Sequence, residues 1–331
     1  MPSFDFEVAV VGAGVMGLAT ARALAQAGRD VVVLEQFALG HDRGSSHGGA
    51  RIIRLSYPEA DWVRLAQSAY PHWRELEAEF GRPLLDLRGT LDLGDWEPNR
   101  AALAACGIAS EVLEAGEIER RFPIRAEPGS RGLFQADGGI LRADAAVAAL
   151  AEGVEVREGH RVDVIEEDGN SVSAGSLRAG VAVVTAGAWA PRLAGVDATP
   201  TVETVSYFSR GEPVPSVIDT TTGASSGYAL ASPDGALKAG LHQSGRLADP
   251  DAPSVPDREL AARTAAWVER RFSGAGPATR VETCLYTTRE NDEFLLERGG
   301  RVVVGSACSG HGFKFAPVVG RRLAALALEA L

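Results

Sequence analysis

Apolar runs and a glycine motif alternate in the first part of the chain. Residues 7–11 and 31–35 are short runs rich in β-branched residues, which are typical of buried parallel strands. Residues 15–27 between them are rich in helix formers and stop at Gly28, a common C-terminal cap. This order predicts a strand–helix–strand unit with the motif GAGVMG at its first turn.

Further along, the hydrophobic pattern predicts a mixture of helices and short strands. The predicted helices are 61–80, 142–151, 257–272 and 316–331; the predicted strands are 154–156, 162–165, 171–177, 181–185, 281–287 and 301–307. Between 202 and 240, short strands alternate with turn residues, which predicts an antiparallel sheet. Residues 37–50 and 309–315 are predicted loops. The fold class expected is α/β, α+β overall, with a nucleotide domain built from separated segments and a second domain from the insertions.

Composition narrows the function classes. The 331 residues carry 33 Lys+Arg and 44 Asp+Glu, a net charge of −11, which argues against a nucleic-acid partner and a basic membrane-surface protein. Three cysteines do not make a disulfide framework, and no apolar run approaches the roughly 20 residues of a membrane span. The N-terminus lacks the basic region of a signal peptide. We therefore expect a soluble, cytoplasmic protein with no membrane or nucleic-acid partner.

The glycine motif has the context of a dinucleotide-binding loop. Gly12 permits the tight turn, Gly14 lets the backbone approach a pyrophosphate, and Gly17 lets helix and strand pack closely. Glu35 follows Gly17 by 18 residues, at the end of the next predicted strand, where a carboxylate can bind ribose hydroxyls. The motif alone does not separate NAD from FAD, and a glycine turn without a ligand is the alternative.

Six segments carry a resemblance to a known family. In chain order they are GAGVMG (12–17), GSSHGGARIIR (44–54), TAGAWAPRL (185–193), LKAGLH (237–242), VETCLYTT (281–288) and SGHGFKF (309–315). They resemble monomeric sarcosine oxidase and N-methyltryptophan oxidase, of the glycine oxidase/D-amino-acid oxidase group of flavoproteins, over essentially the whole chain. The resemblance implies FAD, molecular oxygen as electron acceptor, and oxidation of a C–N bond in an amino acid or related amine. We expect an FAD-binding domain of 1–86, 137–197 and 284–331, interleaved with a substrate domain of 87–136 and 198–283.

Two arginines and a lysine are the predicted carboxylate and flavin contacts. Arg51 and Arg54 lie in an apolar stretch, where a guanidinium usually has a partner, and its fork suits a carboxylate. The resemblance implies that Arg54 and Lys314 bind the substrate carboxylate and that Arg51 lies against the flavin. Two surface arginines are the alternative. The helix after Lys314 would direct its positive dipole end toward reduced flavin.

The resemblance also assigns side chains around the substrate. Lys238 and His242 are four apart, so on a strand they share a face. By resemblance Lys238 activates oxygen, His242 lies in the substrate pocket, and Tyr286 lines it. Leu241 replaces the family's aromatic residue, and Tyr228 matches a pocket tyrosine only with a one-residue gap. Whether Tyr228 lines the pocket is therefore left open.

The cofactor contacts include one proposed covalent bond. By resemblance Cys284 is linked to the flavin 8-methyl carbon, whereas a buried core cysteine is the ordinary alternative. The remaining predicted contacts are Val15, Met16, Gln36, Arg43, Ser45, Ser46, His47, Gly187, Trp189, Gly310, Gly312 and Phe313, besides Arg51 and Lys314. No histidine pattern suggests a metal.

Two rivals to an oxidase stay open. One is a flavin amine dehydrogenase that passes electrons to a protein or quinone, and the other is a flavin-binding subunit without turnover. The substrate class expected is a small amine or amino acid with a carboxylate, and we expect a monomer. The chain is short for this family, which predicts a reduced roof over the substrate.

Overall fold

The computed structural model describes residues 4–209 and 213–331. Residues 1–3, with which the predicted FAD-binding domain begins, lie outside the described residues. The strands are β1 Phe6–Val11, β2 Val31–Leu34, β3 Ala50–Ile53, β4 Leu85–Asp86, β5 Thr90–Leu93, β6 Glu111–Glu114, β7 Arg131–Gln135, β8 Gly139–Arg142, β9 Glu155–Arg157, β10 Ile165–Glu167, β11 Val172–Ala174, β12 Leu177–Val184, β13 Thr199–Phe208, β14 Ser216–Asp219, β15 Gly227–Ala231, β16 Leu237–Leu241, β17 Arg246–Leu247, β18 Ala278–Thr288, β19 Leu295–Gly299 and β20 Val302–Ser306. The helices are α1 Val15–Gln26, α2 Ala60–Phe80, α3 Glu97–Ala105, α4 Ala115–Arg121, α5 Ala143–Ala151, α6 Ala190–Ala194, α7 Arg258–Arg271 and α8 Ala316–Ala330. The five predicted helices are confirmed to within one residue or so at each end.

A parallel sheet carries the glycine motif. Its strand order is β20-β12-β1-β2-β9, with β19 antiparallel to β20 at one edge. Strand β11 pairs antiparallel with the first part of β12, and β10 pairs antiparallel with β11. Val8 and Val10 of β1 face one apolar cluster with α1 and α8, while Ala9 and Val11 face another. Because both faces are covered, every position from 8 to 10 is apolar and fully buried. The predicted strand–helix–strand unit is confirmed.

The two ends of the chain meet in this sheet. β20 pairs parallel with β12 in the register Val183↔Val303, and α8 packs against α1. A Cβ added at Gly320 of α8 would lie 2.6 Å from the backbone carbon of Ala19 in α1. Glycine at this position therefore permits the close approach of the first helix to the last.

A second, nine-stranded sheet is formed by the insertions. Its order is β18-β13-β16-β15-β14-β5-β7-β6, with β17 also on β13, and all pairs are antiparallel except β14 with β5. Helix α7 covers it and places Trp267 and Arg271 in its core. There the buried Asp219 carboxylate accepts hydrogen bonds from Trp267 Nε1 and Arg271 Nε, both at 2.9 Å. The predicted antiparallel sheet is thus confirmed, with one parallel pair added.

Some predicted elements have different bounds. The predicted strand 171–177 is wrong: a turn with Gly175 at φ +64° separates β11 from β12, which pair with each other. The predicted strand 162–165 is shifted, since β10 begins only at its last residue. The predicted loop 309–315 contains a 3₁₀ turn, Gly312–Phe315. The predicted domain boundary at 283/284 falls within β18, and the division into domains stays a prediction.

A small sheet of β3, β8 and β4 contacts β15 of the nine-stranded sheet and carries Arg51 on β3. In the two described ranges, no helix combines the length and the apolar character that crossing a membrane requires.

Candidate active site

A cavity of about 800 Å³ runs between the parallel sheet and the nine-stranded sheet. It begins at the carboxyl ends of β1, β2 and β12 and continues to β16, β18 and the loop before α8. All predicted site residues line it except Gly17 and Arg43. Chain topology therefore brings together side chains from segments up to 300 residues apart.

The glycine loop forms one end of the cavity. Gly12 has φ +102°, and a Cβ there would lie 2.7 Å from Thr185 O. A Cβ at Gly17 would lie 1.9 Å from Gly12 O, so Gly17 packs α1 onto β1 rather than lining the cavity. The N-terminus of α1 faces the cavity at Val15, whose N–H donates to Ser46 Oγ at 3.0 Å. The predicted roles of the glycines as turn and packing residues agree with this geometry.

Glu35 ends β2 beside the glycine loop. Its buried carboxylate accepts hydrogen bonds from Ala13 N at 2.8 Å and Phe37 N at 2.9 Å, and it lies 3.5 Å from His41 Nε2. Burial, the largest effect, lowers the pKa of His41 although Glu35 opposes it. The neighbouring Gln36 also lines the cavity. The carboxylate is therefore held in a fixed position at the cavity wall.

Arg43 lies outside the cavity. Its guanidinium packs 5.1 Å from the centre of the Phe37 ring and donates to Asp251 O at 3.3 Å. Asp251 also accepts from Trp189 Nε1 at 2.8 Å, and Trp189 packs on Phe37. In the described structure Arg43 thus supports the loop that carries Asp251 and has no contact with the cavity.

Arg51 organises the loop that follows β2. Its Nη2 donates to Ser45 O at 2.8 Å and to His47 O at 2.7 Å. Nη2 also lies 3.8 Å from Cys284 Sγ, and Cζ lies 5.8 Å from the centre of the Phe313 ring. Ser45 Oγ donates to the carbonyl of the residue after Cys284. Arg51 therefore connects the loop that contains Ser45 and His47, which is predicted to contact the flavin, with Cys284, the residue predicted to bond to it.

His47 is the unsatisfied member of this loop. Its Nε2 is buried and has no hydrogen-bond partner among the described residues. Burial, followed by the charge of Arg51, lowers the pKa of His47 to about 4. A buried imidazole nitrogen without a partner is costly, so it indicates a group that the cavity holds when loaded.

Lys238 occupies the cavity floor. It lies on β16 opposite Tyr207 of β13, and its Nζ donates to Ala50 O at 3.0 Å. Burial, followed by the charge of Arg51, lowers the pKa of Lys238 to about 7. Because Nζ donates to a neutral carbonyl, no partner charge cancels the positive charge of the protonated lysine. That charge can therefore act on a group bound in the cavity.

Arg54 and Lys314 form a second cationic pair. Arg54 Cζ lies 4.5 Å from the centre of the Tyr57 ring, and Lys314 Nζ donates to Tyr57 Oη at 2.8 Å and to His311 O at 2.7 Å. Burial, followed by the charge of Arg54, holds the pKa of Lys314 well below its ordinary value. In the described ranges no Asp or Glu oxygen lies within 4.0 Å of Arg51, Arg54, Lys238 or Lys314. The cavity is therefore locally cationic in an acidic protein.

The imidazole of His242 and the phenols of Tyr228 and Tyr286 form a further part of the cavity wall. The ring centres of His242 and Tyr286 are 5.6 Å apart, and a Cβ on Gly310 would lie 2.4 Å from Tyr286 and 2.6 Å from His242. Burial, followed by the charges of Arg54 and Lys314, lowers the pKa of His242 to about 4. Tyr228 also lines the cavity, so its position agrees with the gapped match. Strand β16 ends one residue before His242, yet His242 and Lys238 reach the same cavity.

The loop before α8 closes the cavity. A Cβ on Gly312 would lie 1.7 Å from Ala307 O, so only glycine fits there. Phe313 stacks on Trp73 of α2 with ring planes 4° apart, and Trp73 Nε1 donates to Lys314 O at 2.7 Å. These contacts hold the loop against the core of the protein.

Sequence reasoning missed two contacts of Lys314. Tyr57 was not singled out because it lies outside the six motifs, and His311, although it lies within one, was given no role at the site. The structure places the Tyr57 hydroxyl between Lys314 Nζ and His311 Nδ1, the latter at 3.3 Å. No local signal predicts this contact, since 257 residues separate Tyr57 from Lys314.

Comparisons with known proteins agree with this arrangement. A family profile described as FAD dependent oxidoreductase matches residues 7–326. A probable sarcosine oxidase of Arabidopsis thaliana is 33% identical, with 98% of this chain and 88% of that protein aligned. An N-methyl-L-tryptophan oxidase of Yersinia pestis is 27% identical over 98% and 95% of the two chains. The structure of NikD, described as an unusual amino acid oxidase essential for nikkomycin biosynthesis, superposes with a TM-score of 0.87 at 28% identity, covering 98% and 94% of the chains.

Proposed function

Because the chain belongs to the FAD dependent oxidoreductase family, we propose that it oxidises the C–N bond of an amino acid or a secondary amine that carries a carboxylate. The resemblance to sarcosine and N-methyltryptophan oxidases and the prediction of an FAD-dependent oxidoreductase are confirmed. The electron acceptor proposed is molecular oxygen, and the product imine hydrolyses to a carbonyl compound and an amine.

The residues of the cavity fit FAD. The glycine loop leaves no room for side chains, the α1 N-terminus points into the cavity, and Glu35 lies at the end of β2 where a ribose would lie. The unpartnered Nε2 of His47 offers a hydrogen-bonding atom further along. Arg51, Phe313 and Cys284 then surround the position proposed for the isoalloxazine ring. When bound, FAD supplies the two-electron acceptor for the substrate and the donor to oxygen.

The observation that carries the proposal is the set of cationic side chains that have no acidic partner in the part of the chain the structure describes. Burying a charge without a counter-ion is unfavourable, so such a set indicates an anionic ligand. Arg54 and Lys314 approach the same part of the cavity, beside Tyr57, and a guanidinium fork matches a carboxylate. We therefore assign these two residues to the substrate carboxylate.

The same charges favour the reactive form of the amine. An ammonium bound near Arg54 and Lys314 is disfavoured by like charge, so the substrate loses its proton to solvent more readily in the site. His242 is neutral at physiological pH because its pKa is about 4, and it adds no further charge. The neutral amine then loses a hydride from its α- or N-methyl carbon and a proton from nitrogen, leaving the imine.

Lys238 is proposed to assist oxygen. Its Nζ lies near Arg51 and, among the described residues, donates only to Ala50 O. In its protonated form, the lysine stabilises the negative charge that develops as oxygen takes up electrons. Oxygen gains two electrons and two protons in all, which gives hydrogen peroxide. This assignment favours an oxidase over a dehydrogenase.

We further propose a thioether between Cys284 and the flavin. Cys284 is buried on β18, lines the cavity, and its Sγ lies 3.8 Å from Arg51 Nη2. Precipitation of the protein in acid tests it: the yellow colour should stay with the pellet, and in Cys284→Ala it should move to the supernatant. Release of all colour from the unmodified protein contradicts the link. We also propose a cytoplasmic monomer, because the three cysteines form no disulfide in the described structure and the chain is similar to monomeric sarcosine oxidase.

An anaerobic screen of flavin reduction tests the proposed reaction. Amino acids, N-methyl amino acids and cyclic imino acids are mixed with the protein, and bleaching of the flavin band is followed. At least one carboxylate-bearing amine should bleach it, its decarboxylated analogue should not, and air should restore the band with formation of peroxide. Failure of every amine to bleach the flavin refutes the proposal, while bleaching followed by slow reoxidation in air indicates a dehydrogenase.

A further inference from the structure

The charge of Lys314 depends on two neutral acceptors. The side chain is 4% exposed, and its Nζ donates to Tyr57 Oη at 2.8 Å and to His311 O at 2.7 Å. No carboxylate from the described ranges lies within 4.0 Å to balance the ammonium. The third N–H is free for a ligand in the cavity. The protonated form of Lys314 therefore relies on the orientation of these two oxygen atoms.

The neighbouring imidazole fixes the orientation of the Tyr57 hydroxyl. His311 Nε2 lies 3.1 Å from the backbone oxygen of Asp292, which can only accept, so Nε2 carries the ring proton. Burial, followed by the charge of Lys314, lowers the pKa of His311 to about 3, so Nδ1 is an acceptor. Tyr57 Oη lies 3.3 Å from this Nδ1 and donates to it.

Because the Tyr57 hydroxyl donates its proton to His311, its oxygen acts as an acceptor toward Lys314. Burial, the largest effect, raises the pKa of Tyr57 to about 12, so the hydroxyl keeps its proton at physiological pH. With that proton directed at His311, the oxygen accepts from Lys314, and the Arg54 guanidinium is a second donor toward it. The hydrogen bonds then run in one direction, from Lys314 through Tyr57 and His311 to Asp292 O.

The other groups around Lys314 act against its charge. The titratable or charged side chains that face it are Arg54 and Tyr57 from the segment after β3, His311 from its own loop, and His242 from the turn after β16. Helix α2 adds the indole of Trp73, which donates to the Lys314 carbonyl. Arg54 and burial favour loss of the lysine proton. The two oxygen acceptors favour the ammonium, as do the rings of Phe315 and Tyr57, whose centres lie 5.0 Å and 5.5 Å from Nζ.

We propose that Tyr57 and His311 are positioning residues that keep Lys314 protonated and thereby set the pH range in which the site binds a carboxylate. The inference rests on the proposed function, because it takes Lys314 as a carboxylate anchor. The phenol of Tyr57 and the imidazole of His311 control the charge of Lys314, and neither needs to touch the substrate.

Acetate binding to the FAD-loaded protein tests the inference. Acetate has the carboxylate but no amine, and its affinity is measured between pH 6 and 10 by calorimetry, with acetamide as the uncharged analogue. The acetate Kd should be constant at low pH and then rise tenfold per pH unit once Lys314 loses its proton, whereas Lys314→Met should weaken binding and remove this rise. Acetamide should show no such rise.

Tyr57→Phe removes only the hydroxyl. A hydrogen bond to a charged group is worth enough to change an equilibrium about tenfold. The rise in Kd should therefore begin about one pH unit lower, giving about tenfold weaker acetate binding at high pH and unchanged binding on the low-pH plateau. Tyr70→Phe, which removes a hydroxyl bonded to Asp137 O at 2.9 Å, should leave the whole curve unchanged.

His311 is tested by a pair of variants. His311→Leu, which cannot accept the Tyr57 proton, should shift the curve in the same direction as Tyr57→Phe. His311→Asn keeps an acceptor near the position of Nδ1 and should return the curve toward that of the unmodified protein. Equal weakening at all pH values in Tyr57→Phe, or identical curves for the two His311 variants, overturns the inference, because either result indicates only structural damage.

Failure of this inference and failure of the proposed function give different results. If an amine reduces the flavin but acetate binding shows no dependence on Lys314, the inference is overturned and the oxidation stands. If the acetate curves shift as expected but no amine reduces the flavin, the inference stands for a carboxylate-binding site and the proposed oxidation fails.

Discussion

Replacing Gly17 by alanine adds one methyl group where α1 crosses β1. The new Cβ would lie 1.9 Å from Gly12 O and 2.7 Å from Thr185 Oγ1. Cβ contacts below 3.0 Å essentially do not occur, so the Gly12 carbonyl must retreat by about 1 Å. Because the obstacle is backbone, the overpacking cost lies near the upper end of the usual range, ~3 kcal/mol.

Part of this cost is offset by the higher helix propensity of alanine, ~1 kcal/mol. The net loss of about 2 kcal/mol should lower the melting temperature of the protein by roughly 4 °C. Displacement of Gly12 also deforms the loop proposed to hold the pyrophosphate, so the ratio of flavin to protein absorbance after purification should fall sharply.

Gly116→Ala is the matched control. Gly116 also lies in a helix, α4, but a Cβ there would have nothing within 4 Å. This variant should keep its flavin and gain up to ~1 kcal/mol of stability. If Gly17→Ala binds flavin as well as the unmodified protein and melts within about 1 °C of it, the assignment of Gly17 as a close-packing glycine is wrong.

Three further predictions concern chemistry, stability and pH. In Lys238→Met, the rate of anaerobic flavin reduction by an amine should stay within a few-fold of the rate in the unmodified protein. The rate of flavin reoxidation in air, measured by stopped-flow, should fall about 100-fold because one stabilising charge is removed. Equal reoxidation rates in the two proteins contradict the role of Lys238 in oxygen activation. Asp219→Asn should lower the free energy of unfolding in urea by ~3 kcal/mol because it breaks the buried ion pair with Arg271. Asp168→Asn, which breaks an exposed pair with Arg178, should lower it by under ~1 kcal/mol. Similar losses in the two variants would refute the argument from burial. His47 and His242 have pKa values of about 4 in the folded protein against an ordinary 6.5, so the unfolded chain binds more protons below pH 6.5. Stability should therefore fall as the pH drops from 6.5 toward 4, by about 1.4 kcal/mol per pH unit for each histidine, and the variant with both changed to Asn should lose less on moving from pH 7 to 5.

Local patterns in the sequence predicted the elements that are strongly periodic or strongly apolar. The β1–α1–β2 unit and α8 were predicted because a β-branched run, a glycine turn and a helix with caps leave few alternatives. The turn at Gly175 was missed because apolar residues continue on both sides of it, so hydrophobicity alone reads 171–177 as one strand. The parallel pairing of β14 with β5 was also out of reach, since it joins segments 126 residues apart.

The candidate site was predicted to a similar extent. Motif residues such as Arg54, Lys238 and Lys314 were predicted from the family resemblance and do line one cavity. The contact of Tyr57 with Lys314 depends on the tertiary fold and has no signature in either segment. Arg43 was predicted as a cofactor contact by its place in the loop, but the side chain turns toward Asp251, because residues near a motif can face either side of it.

The meeting of the two chain ends in one sheet has a consequence for folding during synthesis. β20 completes the parallel sheet beside β12, and α8 covers the face of α1 at Ala19. Until residues 302–330 have left the ribosome, the outer edge of β12 and an apolar face of α1 stay uncovered. Contacts between segments so distant in sequence also slow folding. The nascent chain is therefore exposed to aggregation until this segment emerges, and its yield in cells should respond to chaperone supply more than its final stability suggests.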